Sequence, residues 1–317
     1  ALAVAGRVDA VYATAEALYL ANSRSGTLFG APIASPAFFE VTDVHKVGLG
    51  AAGPAFVATG SIEGYLDRDI DRAPFRLSEH AGKLRVVTVA DGQWGPLGRN
   101  RLTILEPSSV SPGLLRTLSY LPNRERPTPI GKPDEQLYGT RFFGNTLYAV
   151  TFLKVDPLYV IDLADPAAPR VAGEVELPGL SEYLHPVGED LLFGVGYYAV
   201  QPAGSSWALF QGLQFSLFDV SDPARPRVIE QRTLGKRPSS SAAIRDHHAL
   251  SVLRNGSATR FMLPVRVHEP DGSEGPQPDP NHYYPWSWSG LYGRPRSRMY
   301  AQQSSSLQSA SGFAFQS

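Results

Sequence analysis

Apolar residues along this chain come in short runs, without the three-and-four spacing of an amphipathic helix. Clear runs are ALYLA (17–21), AFVAT (55–59), LRVVTV (84–89), LYAVTF (147–152), LYVID (158–162) and FSLFDV (215–220). They are rich in Val, Leu, Tyr, Phe and Thr and bounded by Gly, Pro, Asn and Asp, which is how a many-stranded β protein reads. The pair Asn255-Gly256, between SVLR and ATRFMLPV, predicts a tight hairpin because both residue types tolerate positive φ.

The runs recur with a period. LYVIDLADPAAPRV (158–171) returns as FSLFDVSDPARPRV (215–228), and the step from Asp165 to Asp222 is 222 − 165 = 57 residues. A weaker copy, RLTILEPSSVSPGLL (101–115), lies one step upstream, with Pro112, Pro169 and Pro226 in register. Each copy reads strand, turn, strand: Asp closes an Asx turn, and Pro fixes φ while offering no ladder donor.

Another strand precedes each copy: LRVVTV, LYAVTF and LLFGVG (191–196). Three or four antiparallel strands per repeat of this length match one blade of a β-propeller. Blades are expected near 10–64, 77–122, 137–180, 183–235 and 241–292, with strands of a sixth from 293–317. The fold expected is all-β: one propeller domain over 1–300, of about six blades (six to seven). A long Pro-, Gly- and Asp-rich loop is expected at 268–285, and the Ser- and Gln-rich tail 301–317 is a candidate last-blade strand.

Composition narrows the partners. The net charge of −1 builds no basic field for nucleic acid, so none is expected as a partner. No apolar run is long enough for a transmembrane segment. With no cysteine there are no disulfides, thiolate metal sites or cysteine nucleophile. The opening ALAVAGRVDAVY lacks the basic and apolar regions of a signal peptide.

Candidate chemistry rests on few residues. Gly48, Gly50 and Gly53 spell GxGxxG, and Gly194, Gly196 and Ala199 its GxGxxA variant. No helical pattern follows either to meet a pyrophosphate, so they read as turn glycines and no organic cofactor is expected. Asp67, Asp69 and Asp71 lack the Gly and Glu of a calcium loop, with Arg72 and Ser78 in those places, and read as a solvated loop.

Histidines stand out: His80 before LRVVTV, His185 before LLFGVG, and His247-His248 before ALSVL. If each following strand is the inner one of its blade, these side chains meet at one mouth of the central channel. Each has an acidic neighbour, Glu79, Glu182 or Asp246, as a divalent metal site held by His80, His185 and His247 would use. The competing reading is that they satisfy backbone groups where strands turn. Tyr283, Tyr284, Trp286 and Trp288 form an aromatic cluster that could serve as a binding surface or as packing between blades. No GxSxG, HExxH or Walker sequence occurs.

Three stretches carry a resemblance: LSEHAGKLRVVTV (77–89), GTRFFGNTLYAVTFLKVDPLYVIDLADPAAPRVAGEVELPGLSEYLHP (139–186) and LQFSLFDVSDPARPRV (213–228). With ATGSIEG (58–64) and DHHALSV (246–252), the chain resembles secreted proteins with a β-propeller domain distantly related to WD-40 repeats. The resemblance implies a location outside the cytoplasm, secreted or associated with the cell envelope, and brings no catalytic motif. The expected function is a binding or scaffold module for a protein or carbohydrate ligand. The alternative is an enzyme, metal-assisted, acting through His80, His185 and His247 or His248.

Overall fold

The structure is a computed structural model describing residues 6–28, 37–90, 99–133, 135–152, 156–202, 208–256, 258–270, 282–284, 286–292 and 313–316. Helical structure among them is confined to short 3-10 turns. The strands form five antiparallel sheets, each assembled largely in chain order.

The first sheet runs β1 (Ala10–Ala13), β2 (Ala17–Leu28), β3 (Ala37–Gly50), β4 (Gly53–Glu63). The second is β5 (Leu77–His80), β6 (Lys83–Val89), β7 (Asn100–Pro107), β8 (Leu115–Leu121). The third is β9 (Gln136–Phe143), β10 (Thr146–Phe152), β11 (Asp156–Asp162), β12 (Arg170–Leu177). The fourth is β13 (Leu180–Val187), β14 (Leu191–Val200), β15 (Leu209–Asp219), β16 (Arg227–Leu234).

The fifth departs from this plan. Its centre is β19 (Ala258–His268), whose C-terminal half pairs β17 (Ser240–Ser241) and β20 (Trp286–Tyr292). The N-terminal half pairs β18 (Ser251–Asn255) and β21 (Phe313–Gln316). The tail strand β21 thus lies in the fifth sheet and does not begin a sixth. Most of the loop expected at 268–285, and most of the tail, lies outside the described residues.

Two compact units divide the chain: Ala1–Thr151 with Tyr159–Gly173, and Phe152–Leu158 with Glu174–Ser317. Within the first, the middle strands β6, β7 and β10 of the second and third sheets are buried on both faces, which is why their runs are continuously apolar, whereas β2 and β3 of the first sheet alternate buried with part-exposed residues. Leu84 and Val86 of β6 pack with Tyr19, Val44 and Ala58 of the first sheet. Val87 and Val89, on the opposite face, pack with Leu147, Ala149 and Tyr159 of the third. Fourth strands face solvent instead, as the alternating exposure of β16 shows. In the second unit Phe193 stacks on Phe261 at 4.3 Å between ring centroids, and Phe215 on Tyr292 at 5.2 Å.

Two sequence expectations need correction. Gly53, at φ +97°, does sit at a two-residue hairpin between β3 and β4, but Gly48 lies within β3, and Gly194 and Gly196 lie within β14. A Cβ on Gly196 would run into the Leu180 carbonyl oxygen, and one on Gly194 would come within 2.7 Å of Ser181 Oγ. They admit the close approach of β13 and are not turn residues. Second, β6 and β14 are the second strands of their sheets, not the first. LSEH and LSEYLHPV, which are not among the strand runs marked in the sequence, form the first strands β5 and β13.

Candidate functional site

A short connection in the fifth sheet gathers the strongest ligand set. Where the second and fourth sheets pass from first to second strand by a tight turn, β17 leads into two 3-10 turns, Ala242–Ile244 and His247–Ala249. Each has a capping residue before it, and this is what the sequence SAAIRDHHA encodes. Ser241 Oγ accepts the Ala243 N–H at 3.2 Å, and Asp246 Oδ1 accepts the His248 N–H at 3.0 Å.

That second cap turns the Asp246 carboxylate back over the two imidazoles. His248 Nδ1 lies 3.0 Å from Asp246 Oδ1, and the rings of His247 and His248 are 3.9 Å apart at their centroids. Potential ligand atoms of Asp246, His247 and His248 all lie within 4.8 Å of one another, and all three residues are exposed. The Asp246 carboxyl is held below the usual carboxylate range, first by the His248 backbone N–H and then by its side chain. Two imidazoles and a carboxylate suit Zn²⁺ or a similar divalent ion, and three protein ligands leave a position for water or substrate. Among the described residues this is the group of His, Asp and Glu side chains that could hold a metal ion.

The other candidate residues are placed differently. His80 ends β5 on the surface of the first unit. Its neighbour Glu79 accepts from Lys46 Nζ at 3.2 Å and from Thr14 Oγ1 at 3.5 Å, so that carboxylate already has partners in its own unit. In the second unit His185 lies within β13, its Nδ1 3.2 Å from the Tyr183 hydroxyl and its ring edge-on to Phe261 at 5.8 Å. Glu182 stands at the β-bulge between Ser181 and Tyr183, where its charge adds to the burial that raises the Tyr197 hydroxyl pKa. His185 and Glu182 are not members of the Asp246–His247–His248 set. Asp246, which the sequence suggested as a neighbour orienting the imidazoles, has an oxygen close enough to be a ligand itself.

The aromatic cluster divides. Tyr284 is buried, and its carbonyl lies 2.8 Å from His268 Nδ1. Tyr283 is exposed under the Arg237 guanidinium, 4.4 Å from its ring centroid, with its hydroxyl accepting from Nη2 at 2.8 Å. Trp286 is exposed at the start of β20 and donates to Ser289 Oγ at 3.0 Å, while Trp288 is half-buried opposite Val267.

Comparison with known proteins agrees with this architecture. An uncharacterized protein of Methanocaldococcus jannaschii is 32% identical over 231 residues, 73% of this chain and 32% of the relative. An uncharacterized protein of Archaeoglobus fulgidus is 31% identical over 191 residues, 60% of this chain and 26% of the relative. The chain thus matches only about a third or less of the length of these curated relatives. A family model described as "Beta propeller domain" matches residues 1–305. With four of the five antiparallel sheets among the described residues assembled in chain order, the chain belongs to the β-propeller domain family.

Proposed function

We propose that this β-propeller protein binds a divalent metal at the turn Asp246–His247–His248 and uses it in metal-assisted catalysis. The observation that carries the proposal is the gathering of three ligand atoms within 4.8 Å on an exposed turn. An ion held there by three side chains keeps coordination positions for a water and a substrate oxygen. It would polarise the substrate or lower the pKa of its bound water to about 7, which is the chemistry of hydrolysis. This favours the enzyme reading over a pure scaffold, with His247, His248 and Asp246 as ligands in place of His80 and His185.

Calorimetric titration with Zn²⁺ tests the site. One ion should bind the unaltered protein, and His247→Ala and Asp246→Ala should each weaken binding by about tenfold or more. Absence of saturable binding, or equal binding by the variants, would defeat the proposal. Metal-dependent turnover of ester and phosphoester probes that is lost with His247→Ala would carry it from binding to catalysis.

We also infer a propeller of about six blades acting outside the cytoplasm. The 57-residue step, the lack of cysteine and the resemblance to secreted proteins support this. Immunodetection in cell fractions tests the location. A second reading, a binding module for a protein or carbohydrate, draws on exposed Tyr283 and Trp286. Ligand-induced change in Trp286 fluorescence would favour it.

A further inference from the structure

Two neighbouring tips in the first unit carry apolar side chains and no charge. The β3–β4 hairpin reads LGAAGPAFV over 49–57, and the end of β7 with its connection to β8 reads PSSVSPGL over 107–114. Neither stretch contains a charged residue, although Asp, Glu, Lys and Arg make up 19% of the chain. Leu49, Phe56, Val57, Val110 and Leu114 are all exposed, from 38% for Val57 to 89% for Val110.

The tips are joined to each other. Thr59 donates its backbone N–H to the Gly113 carbonyl at 2.9 Å, and Thr59 and Leu114 form an isolated parallel bridge. Gly113, at φ +85°, stands beside the Phe56 ring, 3.9 Å from where its Cβ would lie. Pro54 to Val57 are exposed in succession, which a strand with one face on a core does not show, so this end of β4 stands clear of the sheets. The ladder skips Val57 at a bulge. A contiguous apolar projection of this kind marks a binding surface, because water hydrates it at a cost that burial removes.

Backbone and charge both favour lipid as the occupant. Ser108 Oγ accepts the Val110 and Ser111 N–H groups at 3.3 and 3.0 Å. The Ser108 N–H bonds the Leu114 carbonyl at 2.8 Å, and the Leu114 N–H bonds the Ser111 carbonyl at 3.2 Å. Pro54 and Pro112 have no N–H to lose. These donors can leave water without being stranded, which hydrocarbon demands. Behind the tips stand Glu106 and Arg116, paired with each other, and exposed Glu16, whose carbonyl accepts the Leu49 N–H at 2.8 Å. This rim carries both signs with no basic excess. It complements the zwitterionic headgroups of a neutral bilayer, whereas an anionic surface would call for clustered Lys and Arg. The tips are also small for a stable protein interface, which uses roughly 20–30 residues a side.

We propose that the tips around Phe56 and Leu114 insert shallowly into the headgroup–acyl boundary of a neutral lipid bilayer and hold the protein on the membrane surface. This inference goes beyond the metal site and does not depend on it, since the metal turn belongs to the other unit.

Vesicle flotation of the whole chain is the test, with a chelator present to silence the metal turn. The chain should float with phosphatidylcholine vesicles, and high salt should not release it, because apolar contact is not screened. Phe56→Asp with Leu114→Asp, both at exposed positions, should keep the melting temperature and weaken partitioning by about tenfold or more, since each puts a charge where an apolar group inserts. Ile70→Asp, exposed elsewhere in the same unit, should float like the unaltered chain. Absence of flotation, flotation only with anionic phosphatidylglycerol that high salt reverses, or equal behaviour of the two variants would overturn the proposal. So would self-association in sedimentation velocity, in place of flotation, that the double variant abolishes; a second copy would then be the occupant.

Discussion

Asp162 and Asp219, one repeat apart (219 − 162 = 57), end the third strands of consecutive sheets and make the same bonds. Asp162 Oδ1 accepts the Ala164 N–H at 2.9 Å and Oδ2 accepts from Arg170 at 2.7 Å. Asp219 Oδ1 accepts the Ser221 N–H at 3.0 Å and Oδ2 accepts from Arg227 at 2.6 Å. Three residues on, Asp165 and Asp222 cap the next peptide groups in matching fashion, at 2.9 and 3.0 Å. In the second sheet Ser108 takes the place of that second Asp, accepting the Val110 N–H at 3.3 Å. The repeat is therefore one of backbone geometry, which a hydroxyl serves as well as a carboxylate.

Asp162→Ala should lower the stability measured by chemical denaturation by about 1 kcal/mol, the scale of a local hydrogen bond. Asp162→Asn, which keeps the accepting Oδ1, should recover most of that loss. Equal losses in both variants would show that charge, not turn geometry, is what Asp162 supplies.

The turn at Asp219 should be acid-resistant. Its carboxyl is held down to about 2, by the Ser221 hydroxyl first, then the Ser221 N–H and Arg227. A depressed pKa means that the bound form is favoured while the group is ionised. The contribution is complete above the ordinary value of 3.8, and it is lost as pH falls through about 2. Following the Asp219 carboxyl carbon by NMR between pH 5 and pH 1.5 should give a midpoint well below those of unpaired aspartates.

Two glycine motifs that look alike in sequence should respond oppositely to alanine. An added Cβ at Gly50 meets nothing within 4 Å, so Gly50→Ala should leave the melting temperature nearly unchanged. At Gly196 it meets the Leu180 backbone, so Gly196→Ala must push β13 away and should cost about 3 kcal/mol or more. A small effect at Gly196 would contradict the close pairing of β13 with β14.

His185 should prove structural. His185→Ala removes an aromatic edge contact with Phe261 and the bond to Tyr183, an expected loss of about 1 kcal/mol. Zn²⁺ affinity should stay that of the unaltered protein, whereas His247→Ala should abolish or sharply weaken it. Parallel calorimetry on the two variants separates a packed imidazole from a ligand.

The sequence by itself determined what local bonding decides. Strand runs, the β18–β19 hairpin that turns at Gly256 (φ +58°) and the Asp turns at 162–168 and 219–225 all rest on partners a few residues away, although Asn255 stays in the ladder opposite Ala258 and is not itself a turn residue. Their chemistry is legible wherever the right residue types stand at the right offsets. Only the tertiary structure decided the rest, because the deciding partners lie far along the chain. Arg76 holds the buried Asp67 carboxylate and meets the Leu137 carbonyl 61 residues later, so nothing near YLDRDIDRAPFR could reveal that its first Asp is buried. Gly196 is required by a backbone that approaches from β13, not by its own turn. The histidines, equivalent by position, have different local partners: His185 is half-buried beside Tyr183 and Phe261, while a capped 3-10 turn sets the exposed His247 and His248 beside Asp246.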